Sequence, residues 1–234
     1  TGVPANHYNI SSVTEDLNKN LLGKHVVNDV EFEIVSIAST LQPLASFVRK
    51  ILNSDGTPNN QEVNKYMAND HKILVVDIGF GSTDYAEIVS GSLKKAVKSE
   101  GMREVYEGIL NRAYAKEEML RTFALNEFFI EGEMQRGNFI KKGQYNVDVS
   151  VEKHDEYKKK VSNVSNEMNQ NGLKYSTYDE INFVGGGTLA LDKELKEEFG
   201  NDPRVFFCKD AQFENARGYL IKAKSILLKE GAVS

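Results

Sequence analysis

The hydrophobic and polar positions of the chain alternate between helical and strand-like spacing from the start. Apolar residues recur at helical intervals over 13–21, and a hairpin is predicted at 26–37, where the second arm has one apolar and one acidic face. Pro43 suits the first position of a further helix. Residues 54–71 are polar and rich in turn formers, which predicts a loop or crossover. This pattern is typical of an α/β protein.

The clearest strand signal is an unbroken apolar run at 73–76, which predicts a strand buried on both faces. The run is followed by Asp77 and a turn with two glycines, and the stretches 85–89 and 93–97 then predict two strands that pair back. Because this turn leads into a strand, it is neither the phosphate loop of P-loop enzymes nor the dinucleotide fingerprint, since both of those lead into a helix.

Helical spacing returns over 102–129 and again over 157–168, with a small irregular region between them at 131–150. The three lysines at 158–160 are interpreted as a solvated face of the second helix, because long charged side chains are mostly exposed. The chain closes with four predicted elements, a strand at 181–184, a helix that Gly200 ends, a short strand at 205–207 and a helix at 212–229.

Composition narrows the class of protein. The 234 residues carry a net charge of −5, so the chain lacks the basic surface that grips nucleic acid unaided. Cys208 is the only cysteine, which excludes an internal disulfide and fits a reducing compartment, and the four histidines show no metal spacing. No apolar stretch approaches the ~20 residues of a membrane span. We therefore expect a cytoplasmic protein that contacts neither nucleic acid nor membrane directly.

The turn after the buried strand can hold a phosphate. Glycines let consecutive backbone N–H groups aim at one point, and hydroxyl groups add further donors. The residues of the turn with this capacity are Gly79, Gly81, Ser82 and Thr83. The Asp77 carboxylate would repel a bare polyphosphate, so its position next to the turn predicts a Mg²⁺ ion between the two. Such an ion usually contacts the carboxylate through bound waters. Asp84, on the return strand, can point into the same mouth. The alternative is a tight hairpin with solvated ends.

A second glycine loop follows the predicted strand at 181–184 and leads into a helix. Gly185, Gly186 and Gly187 remove three side chains in a row, whereas a plain strand-to-helix turn needs one glycine at most. Such a loop favours a flat or bulky ligand against the backbone, and a nucleotide base with its ribose fits. Thr188 is a plausible N-cap, which would direct the start of the helix at the phosphates.

The order of these motifs resembles the superfamily of actin, heat-shock chaperone and sugar kinase ATPases. The stretch DIGFGSTD at 77–84 looks like its second phosphate motif, and INFVGGGT at 181–188 looks like its adenosine motif. Residues 209–219 are similar to the closing segment of the bacterial plasmid-segregation actins, the ParM-like group. The short separation of the two motifs leaves room only for a compact insert, as in that group.

The resemblance implies an actin-like α/β fold, in which two ribonuclease-H-like domains enclose a nucleotide cleft. We expect 1–66 with 213–234 to belong to domain I and 67–212 to domain II, with a small helical insert at about 102–178. Residues 1–8 look like the strand end and turn that precede a helix of domain I. Because the family's first phosphate motif would lie upstream of them, we expect domain I to be incomplete in this chain and its affinity for ATP to be low.

The resemblance also implies ATP or ADP with Mg²⁺ as cofactors, with Asp77 at the metal. The implied nucleotide contacts are Gly79, Phe80, Gly81, Ser82, Thr83, Gly185, Gly186, Gly187 and Thr188. Asp77, Asp84 and Gln42 are the implied catalytic residues. Gln42 stands at a helix start where these ATPases keep a Gln or Glu that orients the attacking water, and its alternative role is that of a polar residue near a helix cap. Phe80 stands where relatives carry glycine or an acid, and it either covers the nucleotide or packs on a neighbour.

The leading hypothesis is therefore an actin-like ATPase that polymerises, hydrolyses ATP and disassembles. In the ParM-like group the filament moves plasmid copies through a DNA-bound adaptor, so the implied partners are further copies of the chain and such an adaptor. A small-molecule kinase of the same superfamily is one alternative, with Asp84 as its only obvious base. A non-catalytic scaffold that keeps the fold is another, and the presence of Asp77, Gln42 and both glycine loops argues against it.

Overall fold

The computed structural model describes residues 1–3, 7, 10–68 and 70–231. Its strands are β1 (Gly2–Val3), β2 (Gly23–Val27), β3 (Val30–Ile34), β4 (Thr40–Leu41), β5 (Lys72–Ile78), β6 (Ser82–Val89), β7 (Ser92–Glu100), β8 (Phe139–Lys142), β9 (Tyr145–Asp148), β10 (Glu180–Val184) and β11 (Val205–Phe207). Its helices are α1 (Ser11–Leu21), α2 (Gln42–Ile51), α3 (Asn60–Tyr66), α4 (Met102–Lys116), α5 (Glu127–Arg136), α6 (Ser150–Gln170), α7 (Gly186–Ala190), α8 (Asp192–Phe199) and α9 (Glu214–Lys229). The protein is of the mixed α/β class, as expected.

A five-stranded sheet in the order β11–β10–β5–β6–β7 forms the centre of the molecule. Strands β11, β10 and β5 are parallel, whereas β5, β6 and β7 form an antiparallel meander. In this register Asp77 lies beside Val184 on one side and beside Asp84 on the other. The two sequence motifs thus meet at one edge of the sheet, the edge at which β5 and β10 end.

Helices cover both faces of this sheet, which explains the unbroken apolar run of β5. Ile73 and Val75 pack with Phe47 of α2 on one face, in a core that also contains Ile88 of β6. Leu74, Val76 and Ile78 point to the other face, where α4, α6 and α8 build the larger core. Because successive side chains of a strand alternate between faces, Asp77 shares the face of Val75 and is directed towards α2.

Helices α2 and α9 cross closely. A Cβ atom added at Gly218 of α9 would overlap the backbone carbonyl of Ala45 in α2, so this crossing requires glycine. A second tie links α2 to the start of α9, since Arg49 forms an ion pair with Glu214. Helix α9 is thereby held against the face of the sheet that carries Asp77.

Several local expectations need correction. The predicted loop at 54–71 contains the two-turn helix α3, whose N-cap Asn59 accepts a hydrogen bond from the Glu62 amide at 3.4 Å. The irregular region at 131–150 contains the end of α5 and the β8–β9 hairpin. Thr188 is not an N-cap, because α7 begins at Gly186 with Gly185 as its N-cap.

The lysine run at 158–160 is only partly a solvated face. Two of its residues are exposed, but Lys160 is only 2% exposed. It shares the buried stripe of α6 with Tyr157, Val161 and Val164, because residues three and four apart lie on the same side of a helix.

Residues 4–6 and 8 of the start segment lie outside the described ranges, while Gly2 and Val3 form β1 alongside β4. The division of the chain into two domains stays a prediction. Among the described helices, none combines the length and the apolar character that a membrane crossing requires.

Candidate functional site

Two buried carboxylates face each other across the β5–β6 ladder. Asp77 is 5% exposed and Asp84 is 1% exposed, and the register pairs them directly. The pKa of Asp77 is raised to about 6. Burial is the largest cause, the hydrogen bond from Asn215 partly offsets it, and the charge of Asp84 adds to the rise. Two acids this close and this well shielded from water form a site of concentrated negative charge that favours a bound cation.

Asn215 of α9 positions Asp77. Its Nδ2 donates a hydrogen bond of 2.6 Å to Oδ2 of Asp77, while its own Oδ1 is buried without a partner in the described part of the chain. Asn215 lies in the segment 209–219, which resembles the closing segment of the plasmid-segregation actins, but no role for it is predicted from the sequence. The contact joins positions far apart in the chain, so no local pattern could reveal it.

The turn between β5 and β6 presents two unused backbone donors. The amide of Gly79 donates to the Ser82 carbonyl at 2.8 Å and closes the turn. The amides of Phe80 and Gly81, by contrast, have no hydrogen-bond partner among the described residues. Two adjacent free N–H groups in a glycine turn are suited to bind an anion.

The two hydroxyl groups predicted as phosphate donors already have acceptors. Ser82 Oγ donates to Oδ2 of Asp84 at 2.7 Å, and Thr83 Oγ1 donates to the carbonyl oxygen of Glu100 at 2.9 Å. Ser82 thus orients a carboxylate, and Thr83, which is fully buried, ties the turn to the end of β7. In this structure the direct donors to an anion are the backbone amides.

Phe80 packs on neighbouring residues, the second of its two expected roles. Its ring stacks on Phe128 of α5 with centroids 4.3 Å apart and planes inclined by 11°. The ring of Tyr106 in α4 lies on it as well, at 6.1 Å. The side chain of Phe80 therefore anchors the turn to α4 and α5.

The start of α4 forms the rear wall of the turn. The amides of Met102 and Arg103 donate to the carbonyl oxygens of Gly79 and Phe80, at 3.0 and 2.8 Å. A Cβ atom at Gly101 would overlap these same carbonyl oxygens, so the close approach needs glycine. The carbonyl groups of Gly79 and Phe80 are thus satisfied by α4, whereas the amides of Phe80 and Gly81 have no partner among the described residues.

The second glycine loop is explained partly by packing within the protein. A Cβ at Gly185, whose φ is +88°, would overlap Oδ1 of Asp77 and the carbonyl of Ile78. A Cβ at Gly187 would overlap the side chain of Ile78. Only Gly186 faces open space, with its nearest neighbour at 3.8 Å. The inference that a ligand requires all three glycines is therefore too strong, and Gly186 is the one that a ligand can approach.

Thr188 lies deeper than expected. It is 1% exposed, and its hydroxyl donates to the carbonyl oxygen of Val184 at 2.6 Å. It therefore fastens α7 to the end of β10, and its side chain has no hydroxyl donor left to offer a phosphate.

A cavity of about 450 Å³ opens beside Gly186. Its walls include Tyr106 of α4, Glu131 of α5 and Gln212, which precedes α9. This volume lies within the range of ~300–1,000 Å³ that is usual for small-molecule sites. A larger open groove of about 750 Å³, next to Arg204, lies at the opposite edge of the sheet, where β10 and β11 begin. The sequence could not predict either space, because each is enclosed by several separate elements.

Gln42 lies at the first position of α2. A Cβ atom built at Gly2 would overlap the Tyr219 hydroxyl and would lie 3.0 Å from Cγ of Gln42, so these three residues meet. The pKa of Tyr219 is raised, chiefly by burial and then by the charges of Asp77 and Asp84. Tyr219 thus links Gln42 to the carboxylate pair.

The donor set fits Mg²⁺ held largely through water and phosphate. Among the described residues, no cluster of three or more His, Cys, Asp or Glu side chains could enclose a metal ion. Asp77 and Asp84 supply carboxylate oxygens, and the unpartnered Oδ1 of Asn215 can accept a hydrogen bond from a metal-bound water. Mg²⁺ is commonly bound by one or two carboxylates together with waters and substrate phosphates.

Comparison with known proteins identifies the fold. No protein-family model matches the sequence, and a search of curated proteins finds no match either. Among solved structures, a 15-stranded ParM filament from Clostridium botulinum matches with a TM-score of 0.69 at 21% identity, over 94% of this chain and 64% of that one. The archaeal actin homologue Ta0583 in complex with ADP matches with a TM-score of 0.65 at 16% identity, over 95% of this chain and 70% of that one. Bacillus thuringiensis ParM with ATP matches with a TM-score of 0.63 at 18% identity, over 98% of this chain and 66% of that one.

These likenesses show that the chain has an actin-like fold. ParM structures recur among the matches and cover nearly all of the chain, so the fold is of the ParM type, which confirms the expectation from the order of the motifs. The chain spans about two thirds of the length of these structures.

Proposed function

We propose that the protein is an actin-like ATPase that binds ATP or ADP with Mg²⁺ and assembles into filaments. The observation that carries the proposal is the buried pair Asp77 and Asp84 beside a turn with two unused amides. Gly185 packs against Asp77, and its neighbour Gly186 lines the cavity, so a phosphate site and a space of nucleoside size adjoin. Structures of this fold with ATP and with ADP support the same interpretation.

In this proposal each residue has a defined task. The amides of Phe80 and Gly81 bind phosphate oxygens, and the cavity beside Gly186 receives the nucleoside. Bound Mg²⁺ would neutralise charge on the phosphates. Asp77 and Asp84 would hold the hydrated ion, and Asn215 keeps the Asp77 carboxylate in place. Gln42 orients the attacking water, because it lies beside Tyr219, whose pKa is raised in part by the charges of Asp77 and Asp84.

Assembly and partners are proposed from the fold. A ParM of this fold has been solved as a filament, which supports self-association of this chain into a homopolymer. We further propose that the filament acts in the cytoplasm in plasmid segregation, through a DNA-bound adaptor. The net charge of −5 agrees with indirect contact with DNA.

Phosphate release and light scattering, measured together on the full-length protein, test the proposal. We expect release of phosphate from ATP that requires Mg²⁺ and rises with scattering, and we expect Asp77→Ala to abolish the release. Asp16→Ala, which changes an exposed aspartate of α1, is the matched control and should behave like the unaltered protein. ADP formation only after addition of a small-molecule acceptor would instead indicate a kinase, and absence of both release and scattering would indicate a scaffold.

A further inference from the structure

Lys160 is a buried cation that the proposed mechanism has not used. It is 2% exposed in the middle of α6, on the stripe that packs against the central sheet. Its Nζ donates a hydrogen bond to the backbone carbonyl oxygen of Glu100. Burial lowers the pKa of Lys160, and the more distant charges of Glu167, Glu104 and Glu100 raise it.

The acceptor of this hydrogen bond belongs to the wall of the phosphate turn. The same Glu100 carbonyl accepts the hydroxyl of Thr83, and the next residue, Gly101, packs against the backbone of the turn. Met102 then donates its amide to Gly79. Lys160 is thus connected to the glycine turn through the Glu100 carbonyl and the neighbouring Gly101, which packs against Phe80.

The charge of Lys160 is not balanced within the described part of the chain. No carboxylate oxygen there lies within ion-pair distance, 4.0 Å, of its Nζ. Glu167 already accepts hydrogen bonds from two hydroxyl groups of neighbouring strands, at 2.5 and 2.6 Å. A buried charge is unfavourable unless an opposite charge compensates it. An anion at the turn would supply that compensation, and the low dielectric between them would strengthen the attraction.

We infer that Lys160 is a positioning residue of the phosphate site: it holds the turn through the Glu100 carbonyl, and its positive charge favours the phosphate groups of the nucleotide. The inference rests on the proposed function, because it presumes that a phosphate-bearing ligand binds at the turn. It implies that the effect of Lys160 grows with the number of phosphates, whereas a residue that only supports the fold would affect all ligands alike.

The test measures affinity for adenosine, ADP and ATP in the presence of Mg²⁺ by calorimetric titration of the purified full-length protein. Lys160→Gln keeps a donor for the Glu100 carbonyl but removes the charge, and Lys160→Arg keeps the charge. Lys158→Met removes an exposed lysine from the same helix and serves as control. For Lys160→Gln we expect the affinity for ATP to fall about tenfold, which corresponds to ~1.4 kcal/mol of binding free energy. The affinity for ADP should fall less, and the affinity for adenosine should not change.

Lys160→Arg and Lys158→Met should bind all three ligands like the unaltered protein. Equal losses for adenosine and ATP, or no loss for ATP, in a folded Lys160→Gln protein would overturn the inference. If Lys160→Gln fails to fold, Lys160→Arg decides, because a tenfold loss of ATP with the charge retained would show that packing alone matters. Should the unaltered protein bind none of the three ligands, the proposed function itself would fail, which is distinct from a failure of Lys160.

Discussion

The burial of Asp77, which the hydrogen bond from Asn215 only partly offsets, makes the stability of the protein depend on pH in a calculable way. The pKa of Asp77 is about 6 in the folded protein against an ordinary value of 3.8. The folded state therefore holds the proton more tightly than the unfolded state, so the stabilisation is complete below pH 3.8 and is lost as the pH rises through 6. This shift corresponds to about 3 kcal/mol at neutral pH.

Replacement of Asn215 by alanine removes the donor that stabilises the ionised carboxylate. A hydrogen bond to a charged group contributes about 1.5–3 kcal/mol, whereas one to a neutral group contributes about 0.5–1.5 kcal/mol. We therefore expect Asn215→Ala to lower the free energy of unfolding by about 1.5–3 kcal/mol at pH 8, where Asp77 is ionised. At pH 4.5 Asp77 is protonated in the folded protein, so Asn215→Ala should lower the free energy of unfolding by only about 0.5–1.5 kcal/mol.

Urea unfolding at the two pH values measures this difference, and the Asp77→Asn background provides the control. In that background residue 77 no longer ionises, so the effect of Asn215→Ala should be the same at pH 4.5 and at pH 8. An equal effect at both pH values in the protein with Asp77 intact would refute the electrostatic reasoning. So would a pH-dependent effect that persists after Asp77→Asn, because another group would then be responsible.

Two further predictions concern the elements around the site. Gln42→Ala should leave nucleotide affinity unchanged and slow ATP hydrolysis, so that filaments persist longer in light scattering; loss of binding would show that Gln42 is structural. Gly218→Ala should destabilise the protein by about 1–3 kcal/mol, because the added methyl group overlaps the carbonyl of Ala45 in the crossing helix. Gly132→Ala is its matched control, since nothing lies within 4 Å of that position and the helix should gain up to ~1 kcal/mol in chemical unfolding. Equal effects of the two glycine substitutions would contradict the close crossing of α2 and α9.

The aromatic stack of Phe80 on Phe128 shows how the glycine turn accommodates a large side chain. A large side chain in a phosphate turn would obstruct the ligand if it pointed into the mouth. Here it points away and packs on α5, with centroids 4.3 Å apart. The side chain of Phe80 thereby anchors the turn, and the amide of Phe80 has no hydrogen-bond partner among the described residues.

Local sequence was sufficient for those parts of the site that lie within one continuous stretch. A strand buried on both faces must be apolar throughout, so β5 was evident from its composition. The glycine turn and the return strand follow it directly, and hairpin pairing then brings Asp77 and Asp84 together. The actin-like fold was predicted from the resemblance of two such stretches, 77–84 and 181–188, to the motifs of the actin superfamily in the same order.

Tertiary packing decided everything that depends on the approach of distant segments. It alone placed Asn215 on Asp77 and enclosed the cavity at Gly186, since both require α9 or its preceding turn to lie beside the central sheet. It also showed that Gly185 is required by the protein itself and that Lys160 is buried. Helical spacing puts Lys160 on an apolar stripe, but a lysine is ordinarily exposed, and only the contact with the Glu100 carbonyl explains why this one is buried.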